Sequence, residues 1–377
     1  MNGSSPLPQD LRIDCVATPG FTEWMSKAGG SLAITTYQAG KVALVGWDGQ
    51  QVSLVLRQFD KPMGLAISGG AIALATRHCV TMFADSPALA ADYLPDQPRR
   101  YDALYLPRAA YFTGDLNVHD LAFTETGLCL VNTRFSTLAQ LSHDFSFVPG
   151  WRPPFISELA PEDRCHLNGL AVRNGKPAYV TALGESDVVG GWRERKADGG
   201  IIIDIERNEV IVRGLSMPHS PRWHEGRLWV LNSGRGELTV TDPASGESKA
   251  VCALPGYLRG LAFTGGHAVV GLCQIRERHI FGELPLTQRF EKLLCGLAVI
   301  DLESGAELGR LEFTSGCQEI YDVQFLPGVQ RPMILNLERE ATRQAFTAPN
   351  LAYWVRPSSL IPEDARSRQF GPSKTSA

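Results

Sequence analysis

Short apolar runs alternate with polar turns along nearly the whole chain, and one arrangement of them recurs. Six segments share a shape: Met63-Gly-Leu-Ala-Ile, His119-Asp-Leu-Ala-Phe, Asn168-Gly-Leu-Ala-Val, Ser220-Pro-Arg-Trp-His, Arg259-Gly-Leu-Ala-Phe and Tyr321-Asp-Val-Gln-Phe. Each is followed by a glycine-containing turn and a second apolar run, at residues 71–76, 128–133, 177–182, 227–232, 268–272 and 332–337. The copies start 39 to 62 residues apart, the spacing expected of unequal loops inserted into a fixed hairpin scaffold. Two further strand signals follow several hairpins, as in Glu237-Leu-Thr-Val-Thr, the turn Asp242-Pro-Ala-Ser-Gly and residues 248–254. Four short strands per repeat, bounded by turn residues, predict an all-β fold built as a six-bladed β-propeller.

The first apolar runs, 31–37, 41–47 and 51–59, read as the last three strands of a blade that lacks its first. Residues 321–325 supply the missing strand, so N- and C-terminal strands close the ring in one blade and remove its edges. Residues 332–337 are then surplus, which leaves seven blades as an alternative count. The propeller is expected as a single domain over 13–356. The Ser-, Pro- and charge-rich stretches 1–12 and 357–377 read as disordered tails.

Composition narrows the setting. With 36 Lys and Arg against 40 Asp and Glu, the formal net charge is −4, and the basic clusters are short and interleaved with acids. Neither nucleic acid nor an anionic membrane is an expected partner. No secretory leader and no apolar run of bilayer length is visible. The eight cysteines are scattered, none in a Cys-x-x-Cys pair, and read as reduced thiols of a cytoplasmic protein.

In a propeller blade, the residues before the first strand and after the second open on the same face. His119, His166 and His219 come to that mouth from three consecutive blades, where three neutral imidazoles could hold a zinc-like transition metal ion with positions open to substrate. A histidine there also serves as a plain loop tie, and His219 is one position out of step with His119 in the alignment. Tyr37, Arg77, Arg134, Asn168, Asn232, Arg259 and Glu319 are candidate ligand-binding residues, with Arg235 and Tyr321 as assisting catalytic groups. Arginines suit a carboxylate or phosphate substrate. The loop 190–200 overhangs the mouth and reads either as a plain flexible insertion or as a candidate lid.

The Asn168-Gly-Leu-Ala-Val and Arg259-Gly-Leu-Ala-Phe segments resemble inner strands of propellers of the strictosidine-synthase, gluconolactonase and paraoxonase type. The chain as a whole, especially Ile34-Thr-Thr-Tyr-Gln-Ala-Gly-Lys and Pro218-His-Ser-Pro-Arg-Trp-His, resembles an uncharacterised bacterial propeller family, which implies the fold and no chemistry. The three-histidine placement is similar in kind to the amidating lyases, propellers that hold zinc with three histidines, and no further motif carries over from them. The paraoxonase-type resemblance implies calcium on oxygen ligands, for which Asn168 and Glu319 suit. His119, Arg259 and Met63 stand where oxygen is wanted, so calcium is the less favoured ion. Two functions from different classes follow. One is a metal-dependent lyase or hydrolase acting on a small polar or anionic substrate. The other is a non-catalytic propeller binding a protein or small ligand on the same face.

Overall fold

In the computed structural model, which describes residues 12–275 and 283–356, each of the first five aligned hairpins becomes the inner strand pair of one antiparallel sheet. Blade 1 pairs Asp322–Pro327 with Gly30–Thr36, followed by Lys41–Trp47 and Val52–Gln58. Blade 2 runs Leu65–Ser68, Ala71–Ala75, Cys79–Asp85 and Ala103–Phe112; blade 3 runs Val118–Thr124, Gly127–Asn132, Thr137–Gln140 and Val148–Pro149. Blade 4 is Leu167–Arg173, Lys176–Ala182, Gly200–Asp204 and Glu209–Leu215, and blade 5 is Pro218–His224, Arg227–Asn232, Glu237–Thr241 and Ser248–Ala253. Tyr257–Thr264, His267–Cys273, Gly296–Asp301 and Glu307–Ser315 form blade 6. The first strands touch one another in cyclic order, blade 6 meeting blade 1, so the sheets form a six-bladed β-propeller.

Closure occurs where the sequence places it. Ser31 pairs with Leu326 and Ile34 with Val323, joining the two ends of the chain in one sheet. The surplus apolar run does not begin a seventh blade. Pro332–Ile334 adds as a fifth, parallel strand to Ala103–Phe112 at the outer edge of blade 2. Asp14–Ala17 adds a fifth strand to the outer edge of blade 6, here antiparallel.

Two elements outside the repeat complete the core. The helix Pro19–Lys27 starts on Thr18, whose hydroxyl accepts from the Phe21 amide, with Pro19 pre-set for the first turn. Its spacing buries Phe21, Trp24 and Met25 on one face against blades 1 and 6. A hairpin, Ala345–Ala348 with Leu351–Trp354, docks through Trp354, whose indole N–H donates to the Leu89 carbonyl at 3.1 Å. Most of both expected tails, 1–11 and 357–377, lies outside the described residues; Arg12 is ordered, and its carbonyl accepts from Ser315. Among the described residues no helix is long and apolar enough to cross a membrane. Among the described residues no two cysteines are joined in a disulfide.

Polar clasps bind blade to blade around the channel. Thr35 donates to Met63 O (2.6 Å), Thr133 to Leu167 O (2.5 Å), Ser233 to Leu258 O (2.7 Å), and the Cys273 thiol to Ile320 O (3.0 Å). Each of these donors comes from the second strand of its blade, or the residue just after it, and reaches the start of the next blade. This pattern fixes the mouth ends of the first strands, where the site lies.

Candidate functional site

The mouth of the channel holds a cleft of about 270 Å³ lined by residues from five of the six blades and from the connections between them. Its floor is set by the entry to each first strand. Asn117 before blade 3 and Met217 before blade 5 adopt left-handed backbone (φ 54° and 46°), a strained choice for residues with side chains. Two positions later come His119 and His219. Val118 pairs with Asn132 and Pro218 with Asn232, so the two histidines are equivalent in register. The offset expected from the sequence is absent: blades 3 and 5 carry the same irregularity, between Val118 and Leu121 and between His219 and Arg222, so the two hairpins superpose with His119 on His219. His166 differs from both. It is itself left-handed (φ 52°) and takes the place of Asn117 and Met217.

Hydrogen bonds fix the tautomers. His119 Nδ1 lies 3.1 Å from the Asn117 carbonyl and 2.7 Å from Thr133 Oγ1, whose own hydrogen is given to Leu167. His219 Nδ1 lies 2.9 Å from the Met217 carbonyl and 3.3 Å from Ser233 Oγ, whose hydrogen goes to Leu258. The carbonyls can only accept and both hydroxyls already donate elsewhere, so Nδ1 carries the proton in both rings, with the Tyr257 hydroxyl a longer third neighbour of His219 Nδ1 at 3.4 Å. His166 Nδ1 lies 2.9 Å from both carboxylate oxygens of Asp163. In the neutral rings Nε2 is therefore the bare nitrogen, and among the described residues nothing hydrogen-bonds it. Burial first, then the nearby His166 and Arg259, pushes His119 well below the usual histidine range; burial and Arg259 do the same to His219.

Around the imidazoles the walls are aromatic. The rings of His119 and His166 meet edge-on with centroids 4.7 Å apart, and Tyr321 lies 5.2 Å from His119. Tyr37 packs on Tyr321 at 5.4 Å, while Tyr257 lies beside His219. The charged member is Arg259, whose Nη1 donates to Glu319 at 3.0 Å and whose guanidinium lies 3.8 Å from the centroid of the Tyr321 ring. On the far side the loop between the second and third strands of blade 4 brings in Trp192. Its ring is 4.5 Å from that of His166 and its N–H donates to Asp163 at 3.1 Å, with Arg193 stacked on its outer face. The loop read as a candidate lid thus contributes a wall.

Of the residues singled out from sequence, His119, His166, His219, Tyr37, Arg259, Glu319 and Tyr321 line this one cleft. The others lie outside its lining. Arg77 and Arg134 share Asp115 as partner, at 3.9 and 3.1 Å. Asn168 is a clasp, donating to Pro218 O and accepting from Thr181. Asn232 accepts from the Ser216 amide and donates to Glu237. Arg235 ends a short 3-10 turn. Sequence reasoning missed Asp163, and it reached Trp192 only as part of the candidate lid. Asp163, three residues before His166, carried a usable signal, whereas Trp192 sits in an inserted loop outside the repeat. Among the described residues no three His, Cys, Asp or Glu side chains stand grouped as a ready-made metal site.

No curated protein matches this chain. Among solved structures, the chain is similar to one from "Crystal structure of Nidogen/Laminin Complex", at 9% identity and a TM-score of 0.48, covering 80% of this chain and 99% of that one. The family described as "Domain of unknown function (DUF4915)" matches residues 19–335, and the chain belongs to that family.

Proposed function

We propose that the mouth cleft is the site of a metal-assisted enzyme, of lyase or hydrolase type, acting on a small polar or anionic substrate. One observation carries the reading. His119, His166 and His219 all have Nδ1 tied to an acceptor while Nε2 is left bare beside one cleft. Metal-binding histidines are oriented in this way, the outer N–H held by a carbonyl or carboxylate. Neutral rings are the ligating form, and burial keeps His119 and His219 neutral. The donor set fits a zinc-like ion better than calcium, since nitrogen outnumbers oxygen.

When bound, such an ion supplies Lewis acidity and an activated water. The chain's own groups do the rest. Asp163 orients His166, Trp192 covers it, Arg259 holds an anionic group, and the Tyr321 hydroxyl is placed to exchange a proton. Arg235 lies outside the lining, so its helper role passes to Arg259 and Tyr321. Cysteines held as thiols rather than disulfides suit a reducing, cytoplasmic setting.

A second reading, a platform that binds a ligand without chemistry, is favoured by the lack of a ready-made metal grouping among the described residues. Cobalt titration of chelator-stripped protein separates them. The metal reading expects about one equivalent bound with visible absorption bands of nitrogen-ligated cobalt, lost in His119→Ala, His166→Ala and His219→Ala. Failure to bind cobalt in the folded wild-type chain leaves the platform.

A further inference from the structure

We infer that the group recognised at this mouth is a small carboxylate and that Arg259 is its anchor. The inference rests on the cleft being a ligand site, as proposed above, and narrows the class of ligand.

Arg259 is 8% exposed and Tyr321 5%, yet both keep unused hydrogen-bonding capacity beside the cleft. Of the guanidinium nitrogens, Nη1 is engaged by Glu319, whereas Nε has no partner. Nη2 also has none among the described residues. Nε and Nη2 form the side edge of the guanidinium, two parallel donors spaced for the two oxygens of a carboxylate. Stacking on Tyr321 holds the plane of that fork, and the Tyr321 hydroxyl, which interacts with Arg259 but makes no well-aligned hydrogen bond, lies next to it. Buried polar groups are nearly always satisfied, so two adjacent unsatisfied ones at a cleft mark a missing ligand group.

Charge decides between carboxylate and phosphate. The lining carries Arg259 and Arg193 against Glu319 and Asp163, and Arg193 already faces Asp163 at 3.7 Å. These four charges cancel, so among the described residues the lining is formally neutral and accommodates one added negative charge at less cost than the two of a dianion. The bare Nε2 atoms accept, so a ligand hydroxyl beside the carboxylate completes the fit.

Glycolate, with its uncharged amide as control, tests the assignment by calorimetric titration of the full chain. Glycolate is expected to bind saturably in the millimolar range and the amide at least tenfold more weakly, roughly the worth of one charge-assisted pair. Arg259→Gln is expected to abolish the difference, and Arg259→Lys, which keeps charge but loses the fork, to retain part of it. Glu319→Gln removes a negative charge 3.0 Å from the guanidinium and is expected to tighten glycolate binding about tenfold. Equal binding of acid and amide by wild type, full binding by folded Arg259→Gln, or weaker binding by folded Glu319→Gln would each overturn the inference. Cobalt uptake by the same variants keeps the two proposals apart. Cobalt bound with no preference for glycolate sinks the anchor alone, and glycolate preference without cobalt sinks the metal alone.

Discussion

The guanidinium of Arg222 on blade 5 crosses the channel to the carboxylate of Asp120 on blade 3, with Nη1 2.7 Å from Oδ2 and Nη2 3.2 Å from Oδ1. Nη2 also reaches Asp322 of blade 1 at 3.4 Å. The two carboxylates serve the backbone as well: Asp120 accepts from the Leu170 amide and Asp322 from the Leu65 amide. One cation therefore ties three blades and, through the amides, two more.

Arg222→Met is expected to cost about 3–5 kcal/mol at pH 7.5, since it leaves two buried carboxylates without their counter-charge. Burial already raises the Asp322 carboxyl above the usual carboxylate range, with Asp120 adding to the rise and Arg222 opposing it. A raised carboxyl takes up its proton in the folded state first. Stability thus falls as pH rises from the unfolded value near 4 through the folded one. Losing Arg222 raises the folded value further and steepens that fall. Urea unfolding at pH 5 and 7.5 checks this, and an equal loss at both values would contradict it.

The histidines act in the opposite direction. His119 and His219 are lowered in the folded state, so the unfolded chain binds protons first as pH drops below about 6.5. Each contributes stability that is present above that pH and is lost at about 1.4 kcal/mol per pH unit below it, until the folded ring also titrates. His219→Gln is expected to reduce the acid sensitivity between pH 6.5 and 5 relative to wild type. Asp322 acts equally in both proteins and cancels in the comparison. An unchanged slope would mean that His219 is protonated in the folded state.

Thr133 serves both fold and site, donating to Leu167 O and accepting from His119. Thr133→Val keeps the shape, removes the donor to the buried Leu167 carbonyl and leaves the His119 N–H only the longer bond to the Asn117 carbonyl. The expected cost is about 1–3 kcal/mol by urea unfolding. A change below about 0.5 kcal/mol would show that neither bond contributes net stability.

The fold was legible because its signal is repeated: six copies of one apolar pattern average out the irregular loops. Even the chain closure through Ile34 and Val323 follows from counting strands. The site was legible only in part. His119 and Arg259 sit inside the repeat, where the template assigns each residue an end of the channel. Arg77, Arg134 and Arg235 also fall at strand ends, but a long side chain there turns to the nearest carboxylate, and Asp115 takes two of them. Trp192 was reached only as part of a candidate lid because an insertion has no template, and Arg222 was hidden because a charged residue inside a repeat reads as a departure rather than a plug.

Gly184 gives the last test, because it controls how closely the Trp192 loop approaches. A Cβ at Gly184 would stand 3.0 Å from Trp192 Cα and 3.1 Å from its Cβ. Those atoms belong to the loop backbone and its first side-chain carbon, so no rotation at the end of a side chain relieves the contact. The loop must move. It lies between the second and third strands of blade 4, outside the paired sheet, and can shift by a few tenths of an ångström without breaking the ladder. Gly184→Ala is therefore expected to change global stability by less than about 1 kcal/mol while loosening Trp192 from His166 and Asp163. Trp192 is only 4% exposed, so its fluorescence should shift to the red, a change absent when Gly184→Ala is made in a Trp192→Phe background. Glycolate binding should weaken with it, since one wall of the cleft withdraws. An unshifted spectrum with unweakened binding would mean that the loop absorbs the methyl elsewhere and that Trp192 is held by His166 and Asp163 more firmly than by its own backbone.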